Sequence, residues 1–592
     1  MSDINLDKRP RVMTDTEIVK RLLSYAIPFI PIFIFTLFLM LFSVLAGLLE
    51  PYLTGKSIDL INEDVVDLQV LYLYLSIFVV AIVVGNLLNY AQTIILQKTG
   101  QSIIYNIREE IFTHLEYHDV SYLNKTPTGA LVTRVTNDTN TLSEMYTTVI
   151  VSVFRNVIMV VLIFVVMFFI NVKLTLLILI VVPFIIFFSF LFRRYSRKAY
   201  REVRANLSKV NAFLAEHLSG MNIIQIFNQQ EDKFNEFDLR NTKLKKSYYK
   251  QIFVFGLYRP TMYLLYMVAL MIVFYYGGIS VIEGVITVGI LITFQSYIGR
   301  FFEPIQQLAE QFNTLQSAFA SAERLFGILD SKSSIKNIEN PIELTEMAGE
   351  IEFKNVWFAY NNEEWILENI SFKVKAKESV AFIGATGSGK TTILRLITRN
   401  YDIQKGQIFV DGIDIKTISK DTLRKFIGVM LQDVFMFSGT IDSNIKLRDD
   451  NISDEKMIQA CKYVNADKFI NKLKDGYNEK VKERGNNFST GQRQLLSFAR
   501  TIVHDPKVMI LDEATSNIDT ETEQLIQESL EKMMSIGTML IVAHRLSTIQ
   551  HVDNIIVLSK GEIIEQGNHQ DLLKNKGHYY SLYKLQYQNN NE

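Results

Sequence analysis

The chain is poor in cysteine and in net charge, and each shortage excludes a class of protein. Cys461 is the only cysteine among the 592 residues. A single cysteine excludes an intrachain disulfide and a cysteine-based metal cluster, which suits a reducing compartment. The formal net charge of -1 provides no basic excess. The sequence therefore gives no reason to expect nucleic acid as a partner.

Apolar residues are abundant, and they are concentrated in the first half of the chain. Hydrophobic residues make up 48% of the sequence and charged residues 21%, a combination typical of a chain that is partly membrane-embedded and partly soluble. An α-helix needs about 20 apolar residues to cross a bilayer. Such runs occur at residues 28–49, 70–96, 147–170, 173–192, 254–276 and 286–303.

These runs predict an α-helical transmembrane domain with six long spans that extend into the cytoplasm. The short segment INVKL joins the third and fourth runs and predicts a tight helical hairpin. The first run is longer than the apolar core of a signal peptide, so we interpret it as a retained helix.

Lysine and arginine in the short loops predict the orientation of the spans. Residues 193–204 read RRYSRKAYREVR, whereas the loops 50–69 and 277–285 are acidic or neutral. Because basic loops stay in the cytoplasm, we expect a multi-pass protein of the cell membrane whose N-terminus and C-terminal half are cytoplasmic.

A change of pattern divides the chain into domains. Residues 331–349 lack helical periodicity and contain Pro341, which indicates a linker. Beyond it, short β-branched runs alternate with helical segments, as in an α/β domain. We assign residues 1–330 to the transmembrane domain and 350–592 to an α/β P-loop nucleotide-binding domain.

The segment GATGSGKTT has the sequence context of a P-loop. It follows the strand-like SVAFI and precedes the helix-like TTILRLITRN. Backbone amides of such a loop surround phosphate oxygens, while its lysine supplies positive charge and the next hydroxyl binds Mg²⁺. The predicted ATP-binding residues are Gly384, Thr386, Gly387, Ser388, Gly389, Lys390, Thr391 and Thr392, with Thr391 also a magnesium ligand.

A second acidic element ends the apolar run VMILDE. Asp512 is positioned to hold magnesium, and Glu513 to polarise the attacking water. A helix cap after a strand is the alternative, and the P-loop makes the metal role the favoured interpretation.

The order of these motifs resembles that of an ATP-binding cassette (ABC) exporter half-transporter over nearly the whole chain. FAY ends in Tyr360, which the resemblance implies stacks on adenine. MLQDVFMFSGTIDSNI is similar to the Q-loop, implying that Gln432 reaches the metal and the water. SNID resembles the D-loop that ends in Asp519, and IVAHRLST resembles the switch region that places His544 near the γ-phosphate. KERG, residues 482–485, is similar to an exporter-specific segment.

FSTGQ resembles the ABC signature, usually Leu-Ser-Gly-Gly-Gln. The resemblance implies that two nucleotide domains meet head to tail, with Ser489, Gly491 and Gln492 capping the ATP of the other domain. Phe488 and Thr490 depart from the pattern. A β-branched residue replaces a glycine that allows close approach and free backbone torsion, which predicts a looser phosphate contact.

Six spans are half the number that the family uses, so the resemblance implies two chains. An altered signature beside an intact P-loop and Glu513 resembles one member of a heterodimeric exporter; a homodimer that tolerates Thr490 is the alternative. SYLNKTPTGALVTRVTNDTN and LSGMNIIQIFNQQEDKF match the intracellular loops whose short helices dock on the nucleotide domains.

The resemblance also implies ATP-driven export of hydrophobic or amphipathic compounds, drugs or lipids, by alternating access, with membrane lipid as a further partner. A homodimeric lipid or lipopeptide flippase and a nucleotide-gated channel or regulator of the same architecture are the alternatives. An intact Glu513 argues against the channel.

Polar side chains within the predicted spans are costly and usually face the protein interior or pair with one another. We favour structural roles for them over substrate contact. Arg300 and Glu303 lie three residues apart and are expected to neutralise each other, while Arg155 and Arg259 can extend toward the interface. The candidates are Asn86, Asn89, Arg155, Asn156, Arg259, Gln295, Arg300 and Glu303.

Overall fold

The computed structural model describes residues 13–333, 335, 338, 340–361, 364–512, 520–542 and 549–589. The chain forms two compact units. One consists of Met1–His118 and Thr126–Ser331, and the other of Asp119–Lys125 and Lys332–Glu592. The second unit thus includes a short segment, 119–125, from between two helices of the first.

Helices build the first unit. They are α1 (Asp15–Ala26), α2 (Ile30–Ile61), α3 (Leu68–Glu116), α5 (Thr128–Thr133), α6 (Thr139–Glu144), α7 (Ile150–Ile170), α8 (Val172–Leu179), α9 (Val182–Ser219), α10 (Met221–Ile226), α11 (Gln230–Ile282) and α12 (Val288–Leu329), while α4 (Val120–Lys125) belongs to the second unit. π-helical segments Arg134–Asp138 and Met145–Val149 connect α5, α6 and α7.

Polar caps fix where several of these helices begin. Asp67 Oδ1 accepts a hydrogen bond from Gln69 N at 2.9 Å ahead of α3, and Asn171 Oδ1 accepts one from Leu174 N at 3.0 Å ahead of α8. Such side chains satisfy amides that have no partner within the helix. Asn171 alone separates α7 from α8, so the predicted tight hairpin is confirmed.

Five helical segments of the described chain are long and apolar enough to cross a membrane, instead of the six predicted. They are Asp15–Ile61, Leu68–Glu116, Thr128–Ile170, Val172–Ser219 and Gln230–Ile282. The sixth predicted span, 286–303, lies mostly in α12 but is not among them. Arg300, Glu303 and Gln295 reduce the hydropathy of that helix.

Two sheets organise the second unit. Strands β1 (Ile351–Ala359), β2 (Trp365–Val374), β4 (Lys405–Val410) and β5 (Ile413–Asp414) form an antiparallel sheet in the order β2-β1-β4-β5. A six-stranded sheet has the order β12-β11-β3-β10-β9-β6. Its strands are β3 (Ser379–Ile383), β6 (Ile427–Met430), β9 (Val508–Asp512), β10 (Thr538–Val542), β11 (Asn554–Ser559) and β12 (Glu562–Gly567).

All strands of the six-stranded sheet except the edge strand β12 run parallel. The α/β expectation is therefore confirmed, whereas the separate antiparallel sheet is an addition to it. Helices of this unit include α13 (Lys390–Ile397), α14 (Lys420–Phe426), α15 (Ile441–Ile445), α16 (Asp454–Tyr463), α17 (Asp467–Ile470), α18 (Thr490–Ile502), α19 (Thr520–Met534), α20 (His569–Asn575) and α21 (His578–Asn589); β7 (Gly439–Thr440) pairs with β8 (Lys480–Val481).

Alternate residues of each central strand enter different cores. Val380 and Phe382 of β3 pack into one cluster with α13 and the antiparallel sheet. Ala381 and Ile383 enter another cluster with α18. Because successive side chains of a strand point to opposite faces, α13 and α18 lie on opposite faces of the six-stranded sheet.

Candidate functional site

The P-loop begins at the carboxyl end of β3, whose five residues are all buried. Two of its glycines are required by space and torsion. A Cβ at Gly384 would lie 2.2 Å from the carbonyl oxygen of Leu558, and Gly389, with φ +101°, would place one 2.5 Å from Leu367 Cδ2. The backbone can therefore turn tightly into α13 only with glycine at these positions.

Lys390 folds back over this loop. Its Nζ donates hydrogen bonds to the carbonyl oxygens of Gly384 at 2.8 Å and Ala385 at 3.0 Å. Burial lowers the pKa of Lys390, and the negative charge of Asp512 partly opposes that shift. The ammonium group thus lies close enough to Asp512 to feel its charge.

The hydroxyls of the loop differ in their surroundings. Ser388 is buried, and its Oγ has no hydrogen-bond partner among the described residues. A buried hydroxyl without a partner is costly, so this position suits an oxygen-rich ligand. Thr386 and Gly387 are exposed and Thr391 is half-buried.

Tyr360 lies beside the helix that follows the loop. Its hydroxyl is 3.2 Å from Thr392 Oγ1 and accepts a hydrogen bond from Arg395 Nη1 at 3.3 Å. Its ring contacts that of Tyr401 edge to face, with centroids 5.0 Å apart. The structure thus brings the predicted adenine contact to the P-loop helix.

The remaining predicted residues follow neighbouring parallel strands. Asp512 ends β9, and Gln432 comes two residues after β6, where it is exposed. β9 pairs with β6 and β10, and β10 pairs with β3. Carboxyl ends of parallel strands meet at one edge of a sheet, where α/β proteins bind ligands.

Three predicted residues lie outside the described part of the chain. Glu513 follows β9 directly, and His544 comes two residues after β10. Asp519 belongs to the same undescribed stretch, 513–519, as Glu513. Their predicted roles remain predictions.

The signature segment forms the N-terminus of α18. Ser489 caps this helix: its Oγ accepts from Gln492 N at 3.2 Å, while Gln492 Oε1 accepts from Ser489 N at 3.0 Å. Gly491 is buried, and Phe488 is buried in the core that contains α18. Phe488 therefore performs the packing expected of an apolar residue.

Thr490 is the first residue of α18, and its side chain is exposed. It is not among the described residues that have a positive φ angle. A glycine is therefore not required there for torsional reasons. The expectation that the backbone torsion of Thr490 loosens the phosphate contact is wrong. The differences that remain are the bulk of the side chain and its hydroxyl, which accepts a hydrogen bond from Arg493 Nη2 at 3.4 Å.

Sequence reasoning missed Tyr401 and Asn124. Tyr401 packs on Tyr360, and Asn124 Nδ2, on α4, donates a hydrogen bond to the Tyr401 hydroxyl at 3.2 Å. The segment SYLNKTPTGALVTRVTNDTN, which resembles an intracellular loop, includes α4. No motif in the sequence indicates that Tyr401 accepts a hydrogen bond from this helix.

The polar residues of the predicted spans are partly paired. Asn86 Nδ2 donates to the carbonyl oxygen of Ile82 at 2.9 Å, and Arg155 Nη1 donates to Asn89 Oδ1 at 3.2 Å. Asn156 Nδ2 donates to Gln307 Oε1 at 3.2 Å. Gln295 is half-buried on α12.

The expected neutralisation of Arg300 by Glu303 is wrong. Arg300 Nη2 pairs with Glu50 Oε2 on α2, and its Nη1 donates to the carbonyl oxygen of Gly47 at 2.5 Å. A position one helical turn away is within reach of an arginine, but here a carboxylate on the neighbouring helix is the partner.

Comparisons with known proteins agree with this architecture. The family profile described as the ABC transporter transmembrane region matches residues 33–305, and the profile described as ABC transporter matches residues 367–516. The solved structure of a bacterial Atm1-family ABC exporter with ATP bound has a TM-score of 0.80 and 25% sequence identity, and the match covers 93% of this chain and 98% of that chain.

Curated relatives match over nearly the full length. The ABC transporter ATP-binding protein exp8 from Streptococcus pneumoniae is 39% identical over 96% of this chain and 97% of its own. An ATP-dependent lipid A-core flippase from Syntrophus aciditrophicus is 34% identical over 96% and 95%. A multidrug resistance-like ATP-binding protein, MdlB, from Buchnera aphidicola is 35% identical over 96% and 98%.

These matches include both the membrane helices and the P-loop domain. The chain therefore belongs to the ABC transporter family, as an exporter of the Atm1 and MdlB type in which an ATPase domain is coupled to a multi-pass membrane domain.

Proposed function

We propose that ATP binds where the P-loop, Asp512 and Gln432 meet at the carboxyl edge of the six-stranded sheet. This convergence is the observation that carries the proposal. Lys390 exchanges the carbonyl oxygens of Gly384 and Ala385 for β- and γ-phosphate oxygens. The buried Ser388 hydroxyl gains a phosphate partner, and the ring of Tyr360 stacks on the adenine.

The same edge fits Mg²⁺. Thr391, Asp512 and Gln432 offer oxygen ligands, and one of them, Asp512, is a carboxylate. That fits magnesium, which uses one or two carboxylates together with phosphate oxygens and water. Bound there, the ion would neutralise charge that develops on the phosphates.

For hydrolysis we propose Glu513 as the residue that polarises the attacking water. Its position in the sequence directly after Asp512, the last residue of β9, supports this role. His544 follows the neighbouring strand β10 and is proposed to contact the γ-phosphate. Asp519 is proposed to line the interface with the second nucleotide domain.

A complete site requires a second chain. The P-loop helix α13 and the signature helix α18 pack on opposite faces of the six-stranded sheet. A signature can therefore reach a P-loop only across an interface with another nucleotide domain. Ser489, Gly491 and Gln492 would then present a hydroxyl and the amino end of a helix to the γ-phosphate of the other ATP.

The identity of that second chain depends on Thr490. Its bulk favours a non-identical partner with a complete signature, whereas its ordinary helical backbone favours a second copy of this chain. Because of the bulk of Thr490, we propose the heterodimer. Purification of the tagged chain from its native membrane tests it: an equal amount of a second, similar polypeptide would support the heterodimer. ATPase activity of the chain purified without any second polypeptide would establish a homodimer.

We further propose that α12 provides the sixth span and that the N-terminus and nucleotide-binding domain are cytoplasmic. The basic segment 193–204 on α9 supports this orientation. On α10 the apolar side chains of Ile223 and Ile226 are exposed by 63% and 74%, and that of Phe227, directly after the helix, by 69%. We propose that they dock on the nucleotide domain of the second chain.

The cargo we propose is a hydrophobic or amphipathic compound, moved outward by alternating access. Closure of the two nucleotide domains on ATP drives the helices, and hydrolysis resets them. The flippase and multidrug names of the relatives support this class of cargo. A lipid or lipopeptide flippase and a nucleotide-gated channel remain the alternatives.

Uptake of a fluorescent amphiphile into inside-out vesicles tests the proposal. We expect ATP-dependent uptake against a gradient, with Lys390→Ala lowering both uptake and hydrolysis by about 10²-fold or more. Lys373→Ala is the matched control, because the half-exposed side chain of Lys373 pairs with Glu350 and Lys373 is not among the proposed ATP-binding residues. Full activity of Lys390→Ala, or ATP-dependent leakage down the gradient, would contradict a pump.

A further inference from the structure

A cavity of about 730 Å³ lies between α11 and α12 within the first unit. It contains one carboxylate and one guanidinium, Glu303 and Arg259, and both belong to predicted membrane spans or their edges. The other lining residues are Pro260, Met262, Tyr263, Tyr266, Gly299 and Phe302. Charged side chains at membrane depth are expensive and mark ligand pathways unless they are paired.

Glu303 has no counter-ion among the described residues. The arginine one turn before it, Arg300, is committed to Glu50 on α2. Within the described residues, the Glu303 carboxylate accepts one hydrogen bond, from the neutral amide of Gln307, whose Nε2 lies 3.1 Å from Oε1. The carboxylate is exposed toward the cavity that it lines.

Arg259 is equally unpaired within the described part of the chain, and its side chain is exposed. The two opposite charges thus share one cavity without forming a salt bridge with each other or with another residue that the structure describes. A ligand that carries both a positive and a negative group would compensate both charges.

Each charged residue is followed by a proline inside its helix: Pro260 after Arg259, and Pro304 after Glu303. A proline donates no backbone hydrogen bond, so a carbonyl group of the preceding turn loses its partner. Irregular backbone at membrane depth is tolerated where it lines a cavity. Pro260 itself lines the cavity, and Pro304 directly follows the lining residue Glu303.

Aromatic rings form a continuous wall of the cavity. Tyr266 contacts Tyr263 with centroids 6.0 Å apart and Phe302 edge to face at 5.6 Å. The Tyr266 hydroxyl lies 3.9 Å from the position that a Cβ would occupy at Gly299. Aromatic faces attract quaternary ammonium groups and pack against alkyl chains.

We propose that this cavity binds a zwitterionic amphiphile, with its ammonium group at Glu303, its phosphate or carboxylate at Arg259 and its apolar part on the aromatic wall. The inference rests on the proposed export of amphiphiles and names their charge class. A purely cationic ligand would be repelled by Arg259, and a purely anionic one by Glu303.

Three probes with the same C16 chain test this: zwitterionic hexadecylphosphocholine, cationic hexadecyltrimethylammonium and anionic hexadecyl phosphate. Binding of each radiolabelled probe to the full-length protein in lipid nanodiscs is measured without nucleotide, and empty nanodiscs are subtracted. We expect the wild type to bind the zwitterion at least about fivefold more tightly than either charged probe.

Glu303→Gln should erase the preference for the zwitterion over the anion, and Arg259→Gln the preference over the cation, because each change removes one repelling charge. Neutral hexadecanol should bind all variants alike, which shows that the cavity is intact. Glu283→Gln is the matched control, because Glu283 lies at the end of α11 outside the cavity. It should retain the wild-type order.

Equal binding of the three charged probes by the wild type would overturn the inference, whatever the variants do. A zwitterion preference that survives both substitutions would also overturn it, since another site would then carry the preference. These readouts need no ATP turnover. A protein that exports amphiphiles without charge preference would refute the inference and leave the proposed function standing. A fully active Lys390→Ala variant would refute the proposed ATP-driven export, while the binding preference would still be measurable.

Discussion

Asn124 on α4 and Tyr401 beyond the P-loop helix are joined by a hydrogen bond of 3.2 Å from the amide to the hydroxyl. The ring of Tyr401 in turn meets that of Tyr360 at 85°, and the hydroxyl of Tyr360 lies 3.2 Å from Thr392 on α13. Three consecutive side-chain contacts therefore connect the short helix α4 to the helix that follows the P-loop.

Tyr401→Ala should uncouple nucleotide turnover from cargo. Removal of the ring takes away the contact between Tyr360 and α4, so we expect basal ATP hydrolysis to persist while its stimulation by substrate falls at least about fivefold. ATPase rates with and without a transported amphiphile provide the measurement. Tyr401→Phe keeps the ring contact and loses the hydrogen bond from Asn124, worth about 1 kcal/mol, so it should reduce the stimulation less than Tyr401→Ala does. Tyr463→Phe is the control, because it loses a comparable exposed hydrogen bond, to the carbonyl oxygen of Lys532 at 2.8 Å. Normal stimulation in Tyr401→Ala would exclude this route.

Ser489 has two separable roles, as a helix cap and as a proposed phosphate contact. Ser489→Ala should cost about 1 kcal/mol of stability through loss of the N-cap and should also reduce ATP turnover. Ser453→Ala supplies the comparison, since Ser453 caps α16 by accepting from Lys456 N at 3.2 Å and should lower the unfolding temperature by a similar amount without affecting turnover.

Thr490→Gly probes the same helix from the other direction. If side-chain bulk loosens the phosphate contact, turnover at the site capped by this signature should rise, while α18 loses up to about 1 kcal/mol from the glycine. Equal turnover in the two proteins would show that Thr490 is neutral and would remove the remaining argument for a non-identical partner.

Arg324 and Asp138 form a bidentate pair that stabilises the first unit. Arg324 Nε and Nη2 donate to the two carboxylate oxygens at 2.9 and 2.5 Å, and Ser321 Oγ donates to Oδ1 at 2.9 Å. Asp138 is buried and Arg324 partly exposed, so Arg324→Gln should cost about 1–2 kcal/mol after allowance for solvent screening.

The midpoint temperature of unfolding in detergent measures this loss. Lys250→Gln breaks the exposed pair with Glu202 and should shift the midpoint much less, since such pairs contribute about 0–1 kcal/mol. Equal shifts in the two variants would contradict the buried character of the Asp138 carboxylate.

His569 should make the C-terminal helices sensitive to acid. Its Nδ1 lies 2.5 Å from the Tyr579 hydroxyl, and burial lowers the pKa of His569 below 6.5. Below pH 6.5 the unfolded segment therefore binds a proton that the folded one resists, so stability falls as the pH decreases toward the folded pKa.

Hydrogen exchange of amides in α20 and α21, corrected for the intrinsic rate, should be faster at about pH 5.5 than at about pH 7.5. His569→Gln removes the titrating group and should abolish the difference. A pH effect of the same size in that variant would assign the sensitivity to other groups.

The sequence predicts local features of this fold well and distant partners poorly. The strand, loop and helix of residues 379–397 follow from neighbouring residues, because glycine spacing and a buried strand define them. The partner of Arg300 is 250 residues away, and helical spacing suggested Glu303 instead. The antiparallel sheet depends on pairing between β1 and β4, which no local pattern encodes.

A hydropathy criterion identifies membrane spans from the composition of a helix alone, without regard to how its charges are paired. α12 continues as one helix through Arg300 and Glu303, and its charges are compensated by α2 or directed to a cavity. A threshold for apolar residues cannot distinguish such a helix from a soluble one.

The burial of Cys461 has a practical consequence for spectroscopy. Burial raises the pKa of its thiol to about 12, so at neutral pH the thiol is protonated and inert, as buried structural cysteines are. Water-soluble maleimides should therefore leave the native chain unmodified. A cysteine introduced at one exposed surface position would be the sole attachment point per polypeptide, and distances between two such probes would report conformational changes without prior removal of the natural thiol.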